Sequence, residues 1–155
     1  MTFQIHALPY ERFAPLFEMS EADLQKAGAA RVIVDAKPGF PCRVSLADAE
    51  PGETVILVNF EHQPGNTPYR ASHAIYVREN AKQAYPEVGQ VPELFASRLV
   101  SMRAFDRKHY MLAADVVEGP SLRDAIPEML RNPDVSYLHL HSAKPGCFAA
   151  SVTRA

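Results

Sequence analysis

A chain of 155 residues with 47% hydrophobic and 22% charged side chains has the size and balance of one globular domain, which excludes a disordered chain. The formal net charge of -2, with both signs mixed along the chain, provides no basic face to displace counterions from phosphates. Nucleic acid is therefore not an expected partner.

The N-terminal residues Met1 to His6 lack a basic start followed by an apolar stretch. The longest aliphatic run, Val55-Ile56-Leu57-Val58, is far too short to cross a bilayer. These observations predict a cytoplasmic protein with no membrane partner. Cys42 and Cys147 match no zinc or redox spacing, and without an export signal both are expected to be free thiols. The 13 prolines, spread along the whole chain, predict short elements joined by ordered turns, because proline lacks an amide proton and clashes with the preceding helical turn. No repeat or linker divides the chain, so residues 1–155 are expected to form a single domain.

In chain order, Phe3 to Ala7 alternates as a strand does. Ser20-Glu21-Ala22-Asp23 has capping-box spacing and Gly28 supplies a stop, predicting a short helix between them. Arg31 to Asp35 is β-branched and predicts a strand, Cys42 to Leu46 is a weaker candidate, and Glu50-Pro51-Gly52-Glu53 is a turn signal. Thr54 to Phe60, apolar on both faces, predicts a central strand, and Ala74 to Arg78 another.

Arg98 to Phe105 and Met111 to Val117 flank a hairpin connection at Asp106-Arg107-Lys108-His109. Leu122, Ile126, Met129 and Leu130 share one face of a helix beginning at Ser121 or Asp124. Pro127 is compatible with that helix if Asp124 caps it, which places the proline in the first turn. Val135 to His141 and Phe148 to Thr153 predict the last two strands. The expected fold class is α+β: a mainly antiparallel β-sheet with two or three short helices packed against it.

Polar residues collect in two places. In Tyr137-Leu138-His139-Leu140-His141, strand alternation sends Leu138 and Leu140 to one face and Tyr137, His139 and His141 to the other. Two imidazoles so placed can ligate a metal together, or simply hydrogen-bond on a half-exposed face. The second cluster, Asn59 to Gln63 and Pro68 to His73, lies at strand ends. There His62 and His73 can act as acid or base, Arg70 can hold an anion in a forked pair of bonds, and Tyr69 and Arg70 can alternatively just pack a proline-bound loop. No glycine-rich phosphate or dinucleotide loop, nucleophile elbow or His-Glu-x-x-His helix is present, and no cofactor is predicted.

Cys42-Arg43-Val44-Ser45-Leu46, Glu50 to Glu53 and Asn59 to Gln63 occur in an order that resembles a bacterial family. So do Pro68 to Ser72 with Ile75 to Glu79, and the ending Gly146-Cys147-Phe148-Ala149 with Arg154. That family is catalogued as domain of unknown function 1203. The resemblance spans nearly the whole chain and implies a stand-alone protein of this length, but no activity, cofactor or catalytic residue.

The leading functional expectation is a pocket for a small anionic molecule, walled by His62, Tyr69, Arg70 and His73 together with Arg43, Arg103 and His141. A metal- or cysteine-dependent enzyme using His139, His141 and Cys147 is the alternative. A third reading is a homo-oligomeric interaction module without a pocket, a homodimer for example, in which strand edges pair between subunits.

Overall fold

A computed structural model describes residues 2–155. In chain order the elements are β1 (Phe3–His6), α1 (Glu21–Lys26), β2 (Ala29–Ile33), β3 (Thr54–Gln63), β4 (Ala71–Arg78), β5 (Leu99–Phe105), β6 (Met111–Glu118), α2 (Leu122–Leu130), β7 (Tyr137–Ser142) and β8 (Phe148–Arg154). Every paired strand runs antiparallel to its neighbour. The strands form two sheets, whereas the sequence pattern predicts one. The larger has the order β1-β8-β7-β5-β6 and the smaller β2-β3-β4. Hydropathy patterning identifies strands and their faces but carries no information about which strands share a ladder, so the division into two sheets is invisible to it.

Each sheet buries its own apolar face. On the larger sheet, Val100, Met102, Ala104, Leu138, Leu140, Ala150 and Val152 meet Leu122, Ile126 and Leu130 of α2. Fully burying each of those three α2 side chains contributes about 2 kcal/mol, and their spacing gives the helix its reason to form there. The smaller sheet packs Ile56, Val58, Phe60, Ile75 and Val77 with Phe13, Leu24, Cys42 and Val44. Phe148 of the larger sheet also enters this second core, so it joins the two layers.

Two local expectations are corrected. Cys42 to Leu46 makes only isolated bridges from Pro41 and Cys42 and then turns, with Leu46 at positive φ. Pro127 is an interior residue of α2 and not a first-turn residue, because the helix begins at Leu122 behind a 3-10 turn over Gly119–Ser121. The missing proline amide frees the carbonyl of Arg123, an exposed residue that water can reach. Other local signals hold: the Ser20 hydroxyl accepts from the Asp23 amide at 3.2 Å, and Gly52 takes the left-handed conformation the Glu50–Glu53 turn needs. Among the described residues, no helix is long and apolar enough to cross a membrane.

Candidate functional site

The site starts from two one-residue irregularities. Along β7, alternation sends Leu138 and Leu140 into the α2 core and turns His139 and His141 to the opposite face. Opposite them in β8, Leu140 pairs with Ala150 but His141 pairs with Phe148, so one extra residue, Ala149, is accommodated. An extra residue reverses the facing of what precedes it, which brings the Phe148 ring to the histidine side. A second shift in β3, between Phe60 and Gln63, gives that strand an extra residue against β4 just where His62 sits.

The three imidazoles then meet over Phe148. The His62 ring stacks on the Phe148 ring with centroids 5.5 Å apart and planes 2° from parallel. It lies edge-on to His141 at 4.8 Å and to His139 at 5.9 Å. One ring nitrogen from each histidine lies within 4.8 Å of one from each of the other two. His139 and His141 are buried, at 6% and 1% exposure, and His62 is half-buried.

Three nitrogens here have no hydrogen-bond partner: His62 Nδ1, His139 Nδ1 and His141 Nε2. A buried polar atom left unpaired costs about 1–3 kcal/mol, and the protein itself satisfies none of these three. Burial pushes the histidines well below their ordinary range, His62 to about 4 and His139 and His141 to about 3. Arg103 and the neighbouring imidazoles push in the same direction. At neutral pH the rings are uncharged, the form in which imidazole binds a metal. His141 Nδ1 donates to the Gly146 carbonyl at 2.9 Å, and because a carbonyl only accepts, the lone pair is left on Nε2.

Arg103 supplies the charge. It is the cross-strand partner of His139, and its Nε donates to Ser101 Oγ at 3.2 Å. It makes no ion pair with a carboxylate among the described residues, and burial lowers its pKa. A partly buried guanidinium beside three neutral imidazoles favours an anion.

The remaining predicted residues divide. His73, opposite Phe60 in β4, lies near the cluster, and its charge lowers the pKa of His62. Tyr69 is exposed and stands edge-on to Phe105, which in turn packs against His139. Arg70 points to solvent and pairs with Glu61 at 3.2 Å. Arg43 and Cys147 bond to each other on a different cleft, and neither cysteine is in a disulfide.

The model of one protein family, described as Protein of unknown function (DUF1203), matches residues 39–154. The chain belongs to that family. The matched span of this DUF1203 protein contains β3 to β8 and hence His62, Arg103, His139, His141 and Phe148, while β1, α1 and β2 lie before it. No curated protein and no solved structure matches this DUF1203 chain.

Sequence reasoning paired His139 with His141 and expected His62 and His141 in one pocket, but it did not join His62 to both as a three-imidazole set. No spacing rule joins residue 62 to residue 139, because the contact depends on how the two sheets stack. It also missed Phe148 as the platform and His109, and named Gln63 only within a cluster. Gln63 and His109 both hydrogen-bond the Tyr137 hydroxyl at 2.7 Å and so tie the end of β3 to the β5–β6 hairpin through β7.

Proposed function

We propose that this protein holds a divalent transition-metal ion on His62, His139 and His141, with a small oxyanion as its ligand beside Arg103. The convergence of three neutral imidazoles, each with a buried and unpartnered ring nitrogen, carries the reading. Nitrogen ligands at about 2.0–2.1 Å from a tetrahedral ion stand about 3.4 Å from one another. Closing the triangle from at most 4.8 Å therefore takes about an ångström of side-chain rotation. Three imidazoles favour zinc, iron, nickel or copper over magnesium or calcium, which prefer oxygen.

Three protein ligands leave a fourth position for water or a substrate oxygen. When bound, the ion supplies Lewis acidity and an activated water. The residues themselves do the rest: the Gly146 carbonyl fixes the His141 tautomer, Phe148 supports the His62 ring, and Arg103 attracts and orients the anion. This reading retains the expected small anionic ligand but moves it from the Tyr69–Arg70 loop to the face of β7 and β5.

Cobalt(II) tests it, since its visible spectrum reports coordination. Metal-free protein given one equivalent of cobalt(II) should develop intense tetrahedral bands, and added acetate or bicarbonate should shift them. Arg103→Gln should load cobalt normally and show a weakened response to the anions. Weak octahedral bands identical to those of cobalt in buffer would remove the proposal.

A further inference from the structure

A cleft lined by no histidine lies behind the turn that joins β7 to β8. It encloses about 760 Å³ between Pro41, Tyr76, Arg98 and Leu99, the Gly119–Pro120 bend and residues 142–147. That volume suits a small molecule of some tens of heavy atoms. Its wall carries an unusual pair. Arg43 is fully buried, at 0% exposure, and makes no ion pair with any carboxylate among the described residues. Its Nε donates to the Phe148 carbonyl at 2.7 Å, Nη1 to the Pro41 carbonyl, and Nη2 to Cys147 Sγ at 3.1 Å.

A buried guanidinium without an acid is costly unless another group offsets its charge. Burial lowers the Arg43 pKa, and the Cys147 sulfur is foremost among the groups opposing that effect. Cys147 is half-buried on the cleft wall, whereas Cys42 is fully buried with its sulfur accepting from the Ser45 and Arg78 amides. Lys144 stands exposed on the cleft wall as a further cation, opposed by Glu118, while the charge of Arg98 is already neutralised by Asp48. The cleft therefore combines a half-buried cysteine on its wall, a buried guanidinium without a carboxylate bonded to its sulfur, and one more cation than anion among its unpaired charged residues.

We propose that Cys147 is a thiol-exchange site for disulfides of small carboxylate-bearing thiols, which the cleft admits and Arg43 and Lys144 attract. In the exchange, Cys147 gives its proton to solvent and its sulfur attacks one sulfur of the incoming disulfide. The incoming S–S bond breaks as the Cys147 mixed disulfide forms. The other half leaves as a thiolate and takes up a proton, so no external oxidant is consumed. The site is independent of the trihistidine reading, because no histidine of that cluster lines the cleft.

Wild-type protein, freed of metal, is treated with oxidised glutathione, an anionic disulfide, and with cystamine, a cationic one. Each rate is divided by the rate of the same reagent on a short unstructured cysteine peptide. The expected adduct is one glutathionyl group per chain, mapped to Cys147, with a normalised preference for the anionic reagent of about tenfold, the lower end of what charge focusing in a cleft produces. Arg43→Met should abolish that preference and Arg43→Lys retain part of it. Because a buried arginine can be needed for folding, Lys144→Glu at an exposed position provides a second variant, which must lower the preference in a chain of wild-type melting temperature. Equal normalised rates for the two reagents in the wild type, or first labelling at Cys42, would overturn the proposal.

Discussion

Acid should destabilise this protein well before its carboxylates protonate. His139 and His141 are buried as neutral rings and held at about 3, against an ordinary value of 6.5 in the unfolded chain. Below pH 6.5 the unfolded chain therefore binds protons that the folded chain refuses. Stability is fully present above 6.5 and falls as the pH drops toward the folded values. At about 1.4 kcal/mol per pH unit per group, moving from pH 7.5 to pH 5 costs about 2 kcal/mol for each ring. His62, half-buried and held at about 4, adds a smaller amount in the same direction, because solvent screens it.

The loss from the two buried rings, about 4 kcal/mol as an upper figure, is a large part of the stability of an ordinary domain, roughly 5–15 kcal/mol. With a urea dependence of about 2 kcal/mol per molar, the unfolding midpoint should drop by about 2 M. The assay is urea unfolding followed by circular dichroism at pH 7.5, 6 and 5, with a chelator present throughout. Asp48 and Glu53 do not confuse the result. Glu53 is held low by its hydrogen bond to Arg78. For Asp48 burial, the largest single effect, pushes upward, but contacts with Arg98, Gly39 and Lys37 together hold it low. Both lose their contributions only below ordinary values of 3.8 and 4.5, outside the window tested. A midpoint that stays constant from pH 7.5 to 5 would refute the claim that the imidazoles are buried and neutral.

Three further outcomes follow from packing and charge. Gly119→Ala should cost about 3 kcal/mol or prevent folding, read by urea unfolding, because its Cβ would fall 1.6 Å from the Phe95 carbonyl oxygen. Asp48→Ala should cost about 3–5 kcal/mol in the same assay, since it strands the mostly buried Arg98 guanidinium, now bonded to Asp48 at 2.6 and 2.8 Å. Arg70→Ala should change stability by less than about 0.5 kcal/mol, because its pair with Glu61 is exposed, and should leave metal binding unaltered.

Local chemistry was legible in the sequence wherever neighbours in the chain decide the structure. The Leu138/Leu140 against His139/His141 alternation, the Ser20 cap, the Glu50–Glu53 turn and the β5–β6 hairpin all depend on contacts within a few residues. What was not legible depends on long-range stacking. Facing of Phe148 needs the Ala149 irregularity, which alternation alone places on the wrong side. His62 and His141 were expected in one pocket, but the three-imidazole set with His139 forms across two sheets that hydropathy cannot tell apart. Arg70 carried the right chemistry for an anion, but Glu61 neutralises it, while Arg103, on a strand of ordinary appearance, retains its free charge beside the histidines.

The central claim is that three imidazoles form one metal site, and equilibrium dialysis of metal-free protein against micromolar zinc, followed by elemental analysis, tests it most directly. The account predicts one zinc per wild-type chain at pH 7.5 and a large loss of bound zinc in each of His62→Ala, His139→Ala and His141→Ala, whereas Cys147→Ser keeps the full equivalent. No zinc on the wild-type chain, or a full equivalent retained by any of the three histidine variants, would contradict it.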